Sequence, residues 1–129
     1  MTLDLRLLVY SALLAWIMIL TASTLRSRIW RGLGPAFSNR DAMPPPTPIV
    51  GRADRAAANM LENLVIFAVL VLAAHAANVE PSRLELGARL FFYARVGYFP
   101  AYLAGVTYLR TALWFLSLAG MALVLAALF

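Results

Sequence analysis

The chain has 129 residues, 63% of them hydrophobic and 13% charged, with a net charge of +5 and no cysteine. Together with a mean hydropathy of +0.79, that composition is the composition of a membrane protein. Without cysteine there is no disulfide framework and no protein thiol nucleophile, and the lone His75 cannot build a zinc site, so no metal is expected.

Apolar stretches bounded by charge or proline predict four helices, at Leu3 to Leu25, Ala53 to Ala77, Ser82 to Val106 and Tyr108 to Phe129. Each is near the ~20 residues that a bilayer core requires. The expected fold is therefore all-α, an integral membrane four-helix bundle that accounts for residues 1–129 as one transmembrane domain. The first helix carries Asp4 and Arg6 at its head and an apolar run longer than that of a secretory signal, which predicts a retained helix. Between the first two helices, residues 26–52 contain Pro44, Pro45, Pro46 and Pro48 and are predicted to form an extended, semi-rigid loop. Six of the eleven basic residues, all arginines (Arg26, Arg28, Arg31, Arg40, Arg52 and Arg55), flank or occupy it. The positive-inside rule places that loop in the cytoplasm and both termini across the membrane. Arginines confined to membrane edges also argue against a nucleic-acid partner, despite a pI near 10.5.

A short turn at Asn78 to Pro81 makes the second and third helices antiparallel neighbours. Ser82 and Glu85 have the spacing of a capping box at the start of the third. Gly97, Ala101 and Gly105 form a small-residue ridge suited to close helix approach, and Pro100 predicts a kink. Trp16, Trp30, Tyr108 and Trp114 are read as interfacial or packing aromatics. Tyr93 and Arg89 face away from the polar stripe described next, and His75 receives no role.

Arg55, Asn59, Glu62 and Asn63 stand at the mouth of, and then inside, the second apolar segment. Ionisable groups there are costly and mark function. Their steps of four, three and one residues put them in one stripe of a helix. At 1.5 Å of rise per residue, Asn59 lies ~10 Å and Glu62 ~15 Å from the Arg52 end. Counting back from Val106, Tyr102 lies ~6 Å, Tyr98 ~12 Å and Arg95 ~16 Å deep. Glu62 and Arg95 are therefore expected to meet, with Arg110 opening the fourth helix at the same mouth. The cleft so formed holds Arg26 or Arg28, Arg52, Arg55, Arg95 and Arg110 against a single acid, Glu62, with Asn59, Asn63, Tyr98 and Tyr102 as hydrogen-bonding groups. That inventory suits an anion that also carries an ammonium group, a small zwitterionic peptide, beside a lipophile held by the apolar wall.

These residues resemble the membrane-associated proteins in eicosanoid and glutathione metabolism, the MAPEG family. In "RADRAAANMLENLVIFAVLVLAA", Arg55, Asn59 and Glu62 look like the family's arginine, asparagine and glutamate entering an apolar run. In "ARVGYFPAYL", Arg95, Tyr98 and Tyr102 match its arginine, tyrosine and tyrosine, and "AFSNRD" at 36–41 is similar to a loop of bacterial members. The resemblance covers almost the whole chain. It implies a homotrimer with glutathione as co-substrate at subunit interfaces. Arg55, Asn59, Glu62, Asn63, Arg95, Tyr98 and Tyr102 would hold the tripeptide, with Arg26 or Arg28 reaching in from a neighbouring copy. Arg110 sits in the place of the family's thiolate-stabilising arginine. The implied reaction is conjugation or peroxide reduction of a lipophilic small molecule, in a multi-pass protein of a bacterial inner membrane.

Two other functions stay open. The chain departs from the pattern at Asn63, where some catalytic members carry tyrosine, and at Ala57, Ala58 and Val65. The family also includes noncatalytic lipid-binding or scaffold proteins, which would bind a ligand without turnover. A small proton-coupled exporter would use Glu62 alone, but the arginine excess around it disfavours a cationic cargo.

Overall fold

A computed structural model describes residues Met1–Phe129. Four long helices, α1 (Leu3–Ile29), α2 (Pro48–Ala76), α3 (Pro81–Ala104) and α4 (Thr107–Ala126), form an all-helical bundle without strands. α1 packs on α2 and α3, and α4 packs chiefly on α3. The buried face of α1 runs Asp4, Leu7, Ser11, Ala15, Met18 and Ala22, the spacing of three and four that one helix face requires. On α2 the corresponding row includes Met60, Asn63, Phe67, Val71 and Ala74. At the centre, Phe67 of α2 stacks on Phe91 of α3 with ring centroids 4.0 Å apart and planes 17° apart.

α1, α2 and α4 are long and apolar enough to cross a membrane. α3 is not among them, because Arg83, Glu85, Arg89 and Arg95 interrupt its apolar sequence. Its 24 residues nonetheless span ~36 Å, and its most deeply placed charge, Arg95, is turned inward and fully buried.

Several boundaries differ from expectation. α1 continues past Leu25 to Ile29, with Arg26 and Arg28 in its last turn, where cations complement the helix dipole. α2 begins at Pro48 rather than Ala53, since a proline in the first turn lacks only an N–H that no carbonyl needs. The connecting loop is shorter than 26–52, and it contains a 3-10 turn at Gly34–Phe37 ahead of its extended proline run. At α3 the capping box does not form: Glu80 is the cap residue and makes no side-chain cap bond, while Glu85 pairs with Arg89 one turn on at 3.1 Å.

The close approach of helices also falls elsewhere than on the Gly97 ridge. A β-carbon on Gly87 would lie 2.6 Å from the Gly120 carbonyl oxygen, and one on Gly120 would lie 2.6 Å from that of Gly87. These two glycines let the backbones of α3 and α4 touch at the end far from the arginine-rich loop. At Gly97 the nearest atom is a flexible side-chain carbon of Leu113, 3.3 Å away. Gly105 ends α3 in the left-handed conformation, with φ of 78°, a glycine role at helix ends.

Beside the small turn between α2 and α3, His75 approaches the buried carboxylate of Asp4 at 2.5 Å, fastening the start of α1 to the end of α2. The residue without a sequence-based role thus has a structural one.

Candidate cleft at the arginine-rich end

α2, α3 and α4 enclose a cleft of about 220 Å³ lined by Asn59, Tyr98, Tyr102, Arg110, Thr111 and Trp114. α3 supplies the tyrosines because Arg95, Tyr98 and Tyr102 fall on its buried face. Their rings meet edge to face with centroids 5.3 Å apart. α4 supplies Arg110 from its first turn, with the guanidinium 4.6 Å from the centre of the Tyr102 ring. Arg55, more exposed at the rim, donates from Nε to the Tyr102 hydroxyl oxygen at 3.3 Å. That bond occupies a lone pair and leaves the Tyr102 proton free for an acceptor. Arg52 donates to the Leu103 carbonyl at 2.9 Å and so ties α2 to the last turn of α3.

Arg95 does not line the cleft. It lies fully buried behind it, between Phe91 and Tyr98, with its guanidinium 5.6 and 5.0 Å from their ring centres. Its Nη1 donates to Asn59 Oδ1 at 2.7 Å, and its Nε and Nη2 have no partner. Because Oδ1 faces Arg95, the Asn59 carboxamide is held with its NH2 available.

The expected Glu62–Arg95 pair is absent: Arg26 pairs with Asp54 and Arg89 with Glu85, and the His75 ring meets the Asp4 carboxylate. Depth along a helix fixes only one coordinate. Glu62 lies two residues beyond the buried Met60, ~200° around the helix, and it is exposed. The four-residue stripe on α2 is therefore divided. Asn59 borders the cleft, Arg55 stands exposed at its rim, Glu62 is exposed without an ion-pair partner, and Asn63 turns into the bundle, where its Nδ2 donates to the Asn59 carbonyl at 2.8 Å.

Of the two loop-side arginines, Arg26 is bound to Asp54 of its own chain, while Arg28 is exposed and makes no ion pair. Tyr93 and Arg89 face away from the cleft, as the sequence predicts. Thr111 and Trp114 line it although sequence reasoning assigned them no contact. The available signal was the i, i+4 spacing of Arg110 and Trp114, which puts both on one face of α4.

The polar wall of the cleft thus consists of a guanidinium, an amide and three hydroxyls, with a second guanidinium behind it and no carboxylate. Such a surface accepts an anion.

No curated protein matches the chain closely enough to serve as a relative. A model of the MAPEG family, however, matches residues 6–129. The chain belongs to the MAPEG family, membrane proteins of glutathione and eicosanoid metabolism.

Proposed function

We propose that the cleft binds glutathione, holds it as the thiolate beside Arg110 and presents it to a lipophilic electrophile drawn from the bilayer. The carrying observation is the one-sided chemistry of the site, hydrogen-bond donors and the Arg110 cation without a carboxylate in the lining. Guanidinium, phenol and amide donors suit the carboxylates of the tripeptide. A guanidinium beside the sulfur also favours thiolate over thiol, which provides the nucleophile that a chain without cysteine lacks. In the reaction, the sulfur attacks an electrophilic carbon. The C–S bond forms as the bond to the leaving group breaks, and its electron pair departs with that group. Trp114 gives the cleft an apolar side on which the lipophile can rest, and holding both reactants together supplies proximity.

The working assembly in this reading is a homotrimer, the state in which MAPEG members are often found. Two features of the single chain support a neighbour. Its cleft of about 220 Å³ is smaller than the ~300–1,000 Å³ of small-molecule sites. Glu62 and Arg55 are exposed on α2, and a glutamate ~15 Å from the helix mouth is costly against lipid. A second copy over this face brings both residues into a shared site. Arg28 is the arginine free to reach across, whereas Arg26 is engaged by Asp54. The arginine-rich loop would face the cytoplasm of a bacterial cell, with the chain in its inner membrane.

Calorimetric titration of the detergent-purified protein with glutathione, followed by conjugation to an aryl halide, tests the proposal. Binding weakened by Glu62→Gln and Arg95→Ala, with turnover that Arg110→Ala removes, is the expected pattern. Binding without turnover would instead identify a noncatalytic ligand-binding member, and absence of binding refutes the site.

A further inference from the structure

A separate cluster lies where α1 leaves the membrane. Trp30 ends α1, and the chain then reverses through Arg31 and Gly32, at φ of 56° and 144°. It returns so that Arg40 stands over the Trp30 indole, 5.3 Å from the ring centre, while Arg26 approaches the same ring at 5.9 Å. Arg40 itself adopts φ of 60°, a conformation that L side chains rarely take, and its N–H donates to Ser38 Oγ at 3.2 Å. Strain of this kind persists only where the surroundings require it. Its effect here is to place a second guanidinium against Trp30.

The charges at this place are unbalanced. Arg26 has Asp54 as a partner, but Arg40 has no carboxylate, and neighbouring Asp41 makes no ion pair. A cleft of about 300 Å³ opens beside the stack, with Arg26, Arg40 and Ser23 on its polar rim and Leu20 and Leu33 among its apolar walls. Thr24 and Ser27 spend their hydroxyl protons on the carbonyls of Leu20 and Thr24, each at 2.8 Å, while Ser23 makes no such bond. An independent feature gives the surroundings of the cleft. Leu33 and Phe37 project from the loop at 67% and 89% exposure, apolar side chains at the end of a membrane helix, where the lipid interface accommodates them.

We propose that this cleft holds an anionic phospholipid of the leaflet next to the loop. The headgroup phosphate sits against Arg26, Arg40 and the Ser23 hydroxyl, and an acyl chain follows Leu20 and Leu33 toward the bilayer. Cationic groups above an apolar groove at membrane depth fit a lipid bearing both parts, whereas a soluble anion would use only the rim. The inference is independent of the glutathione reading, since the two clefts share no lining residue.

Native mass spectrometry of the full-length protein released from detergent, with phosphatidylglycerol or phosphatidylcholine added at equal concentration, tests it. The wild-type protein is expected to retain phosphatidylglycerol preferentially. Arg40→Gln should reduce retention about tenfold, the loss of one charge-assisted hydrogen bond, and Arg31→Gln, which removes the same charge from the same loop, should not. Circular dichroism confirms that both variants fold. Equal retention of the two lipids overturns the proposal, as does an equal loss in both variants, which would reveal only the general charge of the loop. Displacement of the lipid by inorganic phosphate would show a phosphate site rather than a lipid site and overturn it as well.

Discussion

Replacing Asn59 by alanine removes the one hydrogen bond that the buried Arg95 guanidinium makes. The 2.7 Å contact from Arg95 Nη1 to Asn59 Oδ1 is charge-assisted, and such bonds contribute about 1.5–3 kcal/mol. Arg95 is fully buried, and the change leaves its guanidinium without any protein acceptor. Its stacking on Phe91 and Tyr98, all within α3, survives the change. We therefore expect Asn59→Ala to cost about 3 kcal/mol, at the upper end of that range. Arg95→Met removes the buried charge along with its donors. What remains is a carboxamide bordering an open cleft, and the cost should be about 1 kcal/mol. In the double variant the stranded charge is gone, so stability should recover to near that of Arg95→Met, a non-additivity of about 3 kcal/mol. Equilibrium unfolding in mixed micelles with a rising fraction of sodium dodecyl sulfate, followed by circular dichroism, measures all three. Additive losses, or an Asn59→Ala protein as stable as the wild type, would refute the reasoning.

The remaining predictions concern packing and fastening. Gly87→Ala and Gly120→Ala each place a β-carbon 2.6 Å from a facing carbonyl oxygen and should destabilise the α3–α4 pair by about 1–3 kcal/mol in the same unfolding assay. Gly97→Ala meets only the movable Leu113 side chain at 3.3 Å and should be close to neutral; equal losses at the three positions would contradict the packing described. His75→Ala leaves the fully buried Asp4 without its partner and should cost about 3 kcal/mol, whereas His75→Ala combined with Asp4→Leu should restore most of that loss. If the double variant is no more stable than the single one, the Asp4–His75 contact is not the fastening.

The architecture was legible because apolar length and helical punctuation are one-dimensional properties: four stretches of hydropathy became four helices at nearly the expected places. Arg95, Tyr98 and Tyr102 also share the buried face that their spacing implies. What the sequence could not supply was rotation about each helix axis. Glu62 and Arg95 have matching depths, yet α2 turns its Met60, Asn63 and Phe67 row inward and leaves Glu62 exposed without an ion-pair partner. The close contact at Gly87 and Gly120 joins residues more than thirty positions apart, and a local small-residue pattern such as Gly97, Ala101 and Gly105 gives no hint of which glycine finds a facing partner. Asp4 and His75 were likewise unreadable as a pair, because they stand 71 positions apart and meet only when α1 and α2 dock. The contacts of Trp114 were within reach, one turn beyond Arg110 on the same helix face.

In the proposed function, a cationic cleft turns glutathione into a thiolate. Ultraviolet difference spectroscopy of the purified protein at neutral pH, with and without glutathione, measures that species directly. A thiolate band that appears with glutathione in the wild-type protein, and is lost in Arg110→Ala while calorimetry still records binding, is the predicted result. Glutathione bound with no thiolate band, or a band unchanged by Arg110→Ala, would contradict the central claim.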